Sequence, residues 1–170
     1  MTETTSEKTL VLNDEQIRKK ISRMAYEIYE NNFEEKTLIL AGIDGQGYIL
    51  AQLLQKELQN ISGLVCVVVK ISIDKTSPET SDVVLDFESK ELSKQNIVLV
   101  DDVLNTGRML TYGMKPFLSM IVKKIEVAVL VNRSHAQFPV LPKYTGYELS
   151  TTLNDHIEVV LRKKFAVYLH

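Results

Sequence analysis

At 170 residues the chain is long enough for one globular domain with a substantial core, and its 45% hydrophobic and 25% charged residues are those of an ordinary globular fold. Lys and Arg number 20 against 22 Asp and Glu, a formal net charge of −2. That balance excludes an overall pull toward nucleic acid or a membrane surface, so any anion site has to be built locally.

One domain is expected over residues 1–170, with a flexible tail over about residues 1–10, because Met1 to Lys8 is rich in Thr, Ser and Glu. That stretch lacks the apolar core of a signal peptide, and no apolar run reaches the roughly 18 residues needed to span a bilayer. A cytoplasmic protein is therefore expected. Asn13 with Gln16 three residues on has the pattern of a capping box, and Ile17, Ile21, Met24 and Ile28 recur at helical spacing up to Asn31-Asn32. Thr37 to Ala41 reads as a buried strand, followed by a turn with three glycines in six residues, Gly42 to Gly47. Leu50, Leu53, Leu54 and Leu58 mark a second helix, and Leu64 to Ile73 a long β-branched strand. Cys66 lies inside that strand as a small buried hydrophobe; as the sole cysteine it excludes an internal disulfide. The polar stretch Asp74 to Ser81, with Pro78, predicts an exposed loop. Asn96 to Val100 is again a buried strand and runs into Asp101-Asp102. Leu110, Met114, Phe117, Leu118 and Ile121 predict a third helix bent at Pro116, Ile125 to Val131 the next strand, and Ile157–Leu161 with Phe165–Leu169 a hairpin. This alternation predicts an α/β fold with a doubly wound parallel sheet. In such a sheet ligands sit beyond the C-terminal strand ends, so the turns at Gly42–Gly47, Asp101–Arg108 and Asn132–His135 should gather at one edge.

The chemistry concentrates at Asp101-Asp102-Val103-Leu104-Asn105-Thr106-Gly107-Arg108. Two carboxylates at a strand end precede a short loop that opens a helix, where main-chain N–H groups suit a phosphate. Gly107 permits close backbone approach and Thr106 adds a hydroxyl. The carboxylates cannot favour a phosphate, so their natural partners are sugar hydroxyls or a cation. Plain helix capping, and Mg²⁺ binding of the response-regulator kind, remain open on residue types alone.

Ile97 to Arg108 resembles the PRPP (phosphoribosyl pyrophosphate) signature of type I phosphoribosyltransferases, and within them that of the pyrimidine-operon attenuator/uracil phosphoribosyltransferase family. The similarity runs from about Leu12 to Leu161, through Ile21–Ile28, Val129–His135, Phe138-Pro139-Val140 and Tyr144-Thr145-Gly146. It implies that family's Rossmann-like sheet with a small hood. It also implies that Asp101 and Asp102 bind the ribose hydroxyls and stabilise the charge developing as pyrophosphate leaves. Val103, Leu104 and the cradle Asn105 to Arg108 would hold the rest of the phosphoribosyl group, the cradle taking the 5′-phosphate. Asp44, Gly45, Gln46 and Gly47 occupy the pyrophosphate loop, Lys75 stands where a basic residue closes over the site, and main-chain groups of Val131, Asn132 and Arg133 would read a uracil edge. Mg²⁺ would arrive on the pyrophosphate of PRPP rather than at a protein metal site, and a homodimer or higher homo-oligomer is implied.

Several residues depart from the family pattern. The pyrophosphate turn carries Asp44 and no Lys or Arg, Met109 replaces a hydroxyl residue, Asn132 an acidic one and Tyr26 a histidine. The pyrophosphate half of the site thus reads as undercharged. Two functions follow: transfer of the phosphoribosyl group to a pyrimidine base, uracil to UMP, with a pyrimidine-operon regulatory role beside it; or a PRPP- or nucleotide-binding sensor without efficient turnover. Arg18, Lys19, Lys20 and Arg23 line one helix face that could meet RNA, but a solvated charged face is favoured. His135 lies beside the proposed base site, and His156 and His170 show no metal-ligand spacing.

Overall fold

The computed structural model describes residues 7–170. Along them run β1 (Thr9–Leu12), α1 (Asp14–Glu30), β2 (Thr37–Ile43), α2 (Gln46–Ile61), β3 (Val65–Ser72), β4 (Val84–Leu85), α3 (Ser89–Leu92), β5 (Asn96–Leu104), α4 (Arg108–Gly113), α5 (Lys115–Leu118), β6 (Lys124–Asn132), β7 (Tyr144–Glu148), β8 (Ile157–Val160) and β9 (Ala166–Leu169). The first part of the expected tail, residues 1–6, lies outside the described residues, but Thr9 and Leu10 do not fray: they pair with Leu169 and Tyr168.

Six strands form the main sheet in the order β4-β3-β2-β5-β6-β7. β4 runs antiparallel to β3, and every other neighbouring pair is parallel. Successive side chains of a strand point to opposite faces, and here both faces are covered, which is why the central strands are almost wholly apolar. Leu38, Leu40, Val98, Val100, Ala128 and Leu130 pack under α1 and α2 with Ile17, Ile21, Met24, Leu50 and Leu54. Their neighbours Ile39, Ala41, Ile97, Leu99, Val127 and Val129 pack on the other face with Leu92, Leu110 and Phe117. Cys66 is buried as expected, and burial pushes its thiol up to about 11.

The α1 capping box forms as the sequence predicts: Gln16 N donates to Asn13 Oδ1 and Asn13 N to Gln16 Oε1, both at 2.9 Å. The third helix differs from expectation. Pro116 lacks an N–H and fits only a first turn, and α5 starts afresh around it instead of continuing α4. Ile121 lies beyond both helices, 71% exposed, and Leu118 is 72% exposed. A second, three-stranded antiparallel sheet, β1-β9-β8, forms the hood. Its hairpin β8–β9 was expected; β1 as its outer strand was not.

Candidate active site

Two loops meet at the C-terminal edge of the main sheet. α2 begins so close to β5 that a Cβ built on Gly47 would lie 2.8 Å from Asp101 Oδ1 and 2.9 Å from Val100 O. Only glycine permits that approach, and it places the first turn of α2 directly against the carboxylate. Gly45, the N-cap, has φ 102 and ψ −136, a conformation closed to L side chains. No side chain caps this helix and no acidic residue occupies its first turn. The positive end of this 16-residue helix thus has no cap of its own, and the carboxylates beside it are those of Asp101 and Asp44. Asp44 Oδ1 accepts from Gly45 N at 2.9 Å. The Gln46 side chain, expected at the ligand, turns away: its Oε1 accepts from Leu161 N at 3.0 Å and ties the turn to the hood.

β5 runs farther than the sequence suggests. Asp101, Val103 and Leu104 still pair with Val129, Val131 and Asn132, so the loop proper is only Asn105 to Gly107. Val103 and Leu104 bury their side chains in opposite cores and offer the cleft main chain alone. Among the described residues the N–H groups of Asn105, Thr106 and Gly107 find no protein acceptor. Gly107 turns left-handed at φ 84 to start α4. The loop is braced from behind, where Thr106 O accepts from Gln137 N at 2.8 Å and Phe138 N at 3.1 Å. The Thr106 hydroxyl accepts from Arg108 N at 3.3 Å. The Arg108 guanidinium pairs with Glu79 at 2.7 Å.

Burial, then the adjacent Asp102 charge, pushes the Asp101 carboxyl well above the ordinary carboxylate range; Lys75 pulls the other way. Lys75 Nζ also comes within 3.5 Å of the point where a Gly45 Cβ would stand. The cation missing from the turn is thus supplied by a loop far along the chain. Its own loop is knotted on Asp74, whose carboxylate accepts from Thr76 N and Oγ1 at 2.9 and 2.7 Å.

Between these parts opens a cleft of about 520 Å³ lined by Lys75, the stretch from Asp101 to Leu110, and His156 to Val159 of the hood. The hood wall was missed from the sequence. His156 and His170 exchange both main-chain hydrogen bonds, at 2.7 and 3.0 Å. By antiparallel alternation the main-chain groups of Ile157 and Val159 then point away from β9, on the open edge of β8. Val131, Asn132 and Arg133 do not line the cleft. Val131 pairs with both Val103 and Tyr147, Asn132 O accepts from Leu149 N at 3.0 Å, and Arg133 N donates to Leu104 O at 3.2 Å. These main-chain groups are engaged by the sheet. His135 Nε2 donates to Thr151 O at 2.7 Å.

The cationic face of α1 is partnered within the chain. Arg18 pairs with Asp14 and lies over Phe165, Lys19 pairs with Glu15, and Lys20 sits over Tyr147. Arg23 pairs with Glu27 and donates to the carbonyls of Thr145 and Gly146. Among the described residues no group of three His, Cys, Asp or Glu side chains could hold a metal. Asp101 and Asp102 could add at most a carboxylate or two to a cation held mainly by ligand oxygens.

Residues 9–162 match the family model described as a phosphoribosyl transferase domain. The chain is 32% identical over 161 residues to the bifunctional protein PyrR of Macrococcus caseolyticus, covering 91% of this chain and 92% of that one. It is 33% identical to the PyrR of Leuconostoc mesenteroides over 159 residues, 90% of this chain and 91% of the relative. Its fold is similar to the crystal structure of the hypoxanthine phosphoribosyltransferase of Trypanosoma cruzi, with a TM-score of 0.76 at 14% identity over 94% and 95% of the two chains. No helix among the described residues is long and apolar enough to cross a membrane. Taken with a doubly wound sheet, an N–H-lined loop after paired aspartates and a hood across the cleft, these matches place the chain in the phosphoribosyl transferase domain family, alongside the bifunctional PyrR proteins.

Proposed function

We propose that the protein transfers the phosphoribosyl group of PRPP to a pyrimidine base, uracil, giving UMP and pyrophosphate. The observation that carries this reading is the contact of Gly47 with Asp101, which sets the paired carboxylates between two main-chain anion sites. On one side, the free N–H groups of Asn105 to Gly107 suit a 5′-phosphate; on the other, the open end of α2 with Lys75 suits a pyrophosphate. The carboxylates between them meet the ribose hydroxyls. In the transfer the bond from C1′ to the pyrophosphate oxygen breaks, the base nitrogen bonds to C1′, and the nitrogen's proton leaves to solvent or pyrophosphate. Positive charge grows on the ribose as this happens; that charge favours ionisation of Asp101, whose carboxyl burial holds protonated in the empty site, and the acidic pair fixed beside the ribose stabilises it. Mg²⁺, which would arrive on the pyrophosphate with Asp101 and Asp102 near it, would supply charge neutralisation to the leaving group. Lys75 holds that group's far side and orients it. Against the hood, the outward main-chain groups of Ile157 and Val159 face a base edge, a donor–acceptor pattern in place of the one expected from Val131 to Arg133.

A sensor that holds PRPP without turnover is favoured by one observation, a turn from Gly42 to Gly47 with no Lys or Arg. The placement of Lys75 and the uncapped α2 answer it. An operon-regulatory role through α1 would require RNA phosphates to displace partners already in place on Arg18, Lys19 and Arg23.

The test is calorimetric titration with PRPP and Mg²⁺, followed by conversion of labelled uracil to UMP. Lys75→Met should weaken PRPP at least about tenfold, roughly 1.4 kcal/mol, and leave UMP, which carries no pyrophosphate, within about threefold. An absence of Mg²⁺-dependent PRPP binding by the wild type, or equal effects of Lys75→Met on both ligands, would overturn the assignment.

A further inference from the structure

Arg133 is 8% exposed, and among the described residues no carboxylate forms a salt bridge with it. Its guanidinium is held by neutral acceptors from the Asn105 loop on one side and from the stretch that leads into the hood on the other. Nη1 donates to Asn105 Oδ1 at 2.9 Å, in the phosphate cradle. Nε donates to Thr151 Oγ1 at 2.8 Å, and Nη2 to the carbonyls of Thr152 and Asp155 at 3.0 and 2.7 Å. Residues 151–155 are an irregular stretch with no strand or helix of their own, and the next residue, His156, begins the hood wall. A buried guanidinium with four fixed bonds is a rigid fork, and this one spans from cradle to hood.

The two ends do not depend on it equally. The cradle has independent braces at Thr106 O, from Gln137 N and Phe138 N. The hood stretch is pinned chiefly by Arg133, with His135 beside it on Thr151 O at 2.7 Å. From this asymmetry we propose that Arg133 is a positioning residue: it fixes the hood wall relative to the phosphate cradle, so that a phosphate seated on Asn105–Arg108 sets where β8 meets the base. The proposal rests on the reading of the cleft as a phosphoribosyl site. Arg133 touches no ligand in it. What it governs is how much of the base's contact energy a nucleotide realises.

The experiment compares a ligand that fills the cradle alone with one that also reaches the hood. The full chain is titrated with ribose 5-phosphate and with the tightest binder among UMP, CMP and GMP, with thermal melts alongside. Arg133→Met should leave ribose 5-phosphate within about threefold and weaken the nucleotide at least tenfold, so that the base no longer adds affinity. Thr151→Val, which removes one acceptor and leaves the guanidinium in place, should shift the same ratio by about threefold, and it decides the matter alone if Arg133→Met does not fold. Equal weakening of both ligands in a folded variant, or an unchanged nucleotide, overturns the proposal. A wild type that binds neither ribose 5-phosphate nor PRPP refutes the reading of the cleft instead, which the variants do not test.

Discussion

Gly47→Ala is the sharpest probe of how this site is assembled. The added methyl would stand 2.8 Å from Asp101 Oδ1, 2.9 Å from Val100 O and 3.0 Å from Asp101 Cα, whereas ordinary contact begins at 3.4 Å. Two of the three obstacles are main chain of a central strand, so the start of α2 has to retreat by about 0.5 Å. Overpacking of this kind costs about 1–3 kcal/mol, and at this chain length each kcal/mol lowers Tm by roughly 2–4 °C. The larger consequence falls on the ligand. A displacement near 1 Å between anchoring groups costs up to about 100-fold, so half of that should weaken PRPP about tenfold. Gly63→Ala is the control, since its Cβ meets nothing within 4 Å. Calorimetry with PRPP and Mg²⁺ and a melting curve of each variant make the comparison. If Gly47→Ala binds PRPP as the wild type does, with an unchanged melt, α2 and Asp101 do not act as one unit and the argument fails.

Other substitutions probe the charges. Asp101 in the folded chain keeps a proton that the unfolded chain releases above its ordinary pKa of 3.8, so stability falls as pH rises from there through the raised value. Asp101→Asn should therefore raise Tm at about pH 8 and give no gain near about pH 3; melts across that range that show a pH-independent effect would refute the raised carboxyl. The Arg108–Glu79 pair is 42% and 47% exposed, so Glu79→Gln should change stability by less than about 1 kcal/mol. Freed of its partner, Arg108 should tighten ribose 5-phosphate about threefold at low salt, and unchanged or weaker binding in the titration would count against a role for Arg108 at the phosphate.

The parts of this fold that could be read from the sequence are those whose cause is local. The capping box at Asn13 and Gln16 is written within four residues, and the apolar runs of β2, β3, β5 and β6 announce buried parallel strands by composition alone. What escaped has distant causes. β1 is four residues whose partner in β9 is defined only by the fold, and β7, Tyr-Thr-Gly-Tyr-Glu, has neither the length nor the apolar content to stand out. Lys75 could be placed near the site by resemblance, but its approach to Gly45 and Asp101 could not. Gln46 is placed in the pyrophosphate loop by resemblance, and its side-chain partner, Leu161 N, lies 115 residues on, where no local pattern announces it. Arg133 is placed at the base by resemblance alone, and the sequence does not show that its guanidinium bonds Asn105 and Thr151 or that its N–H donates to Leu104 O.

The hood joins the two ends of the described chain, with Thr9 paired to Leu169 about 160 residues later. During synthesis β1 must wait, unpaired, until β9 has left the ribosome, long after β2, β5 and α2 have been made. The central sheet with its Asn105–Gly107 loop can thus take shape before the hood exists. Pairings this remote in sequence form late and open first, so amide exchange in β1, β8 and β9 should run ahead of exchange in the central strands. The order of folding would then follow the division between the main sheet and the hood.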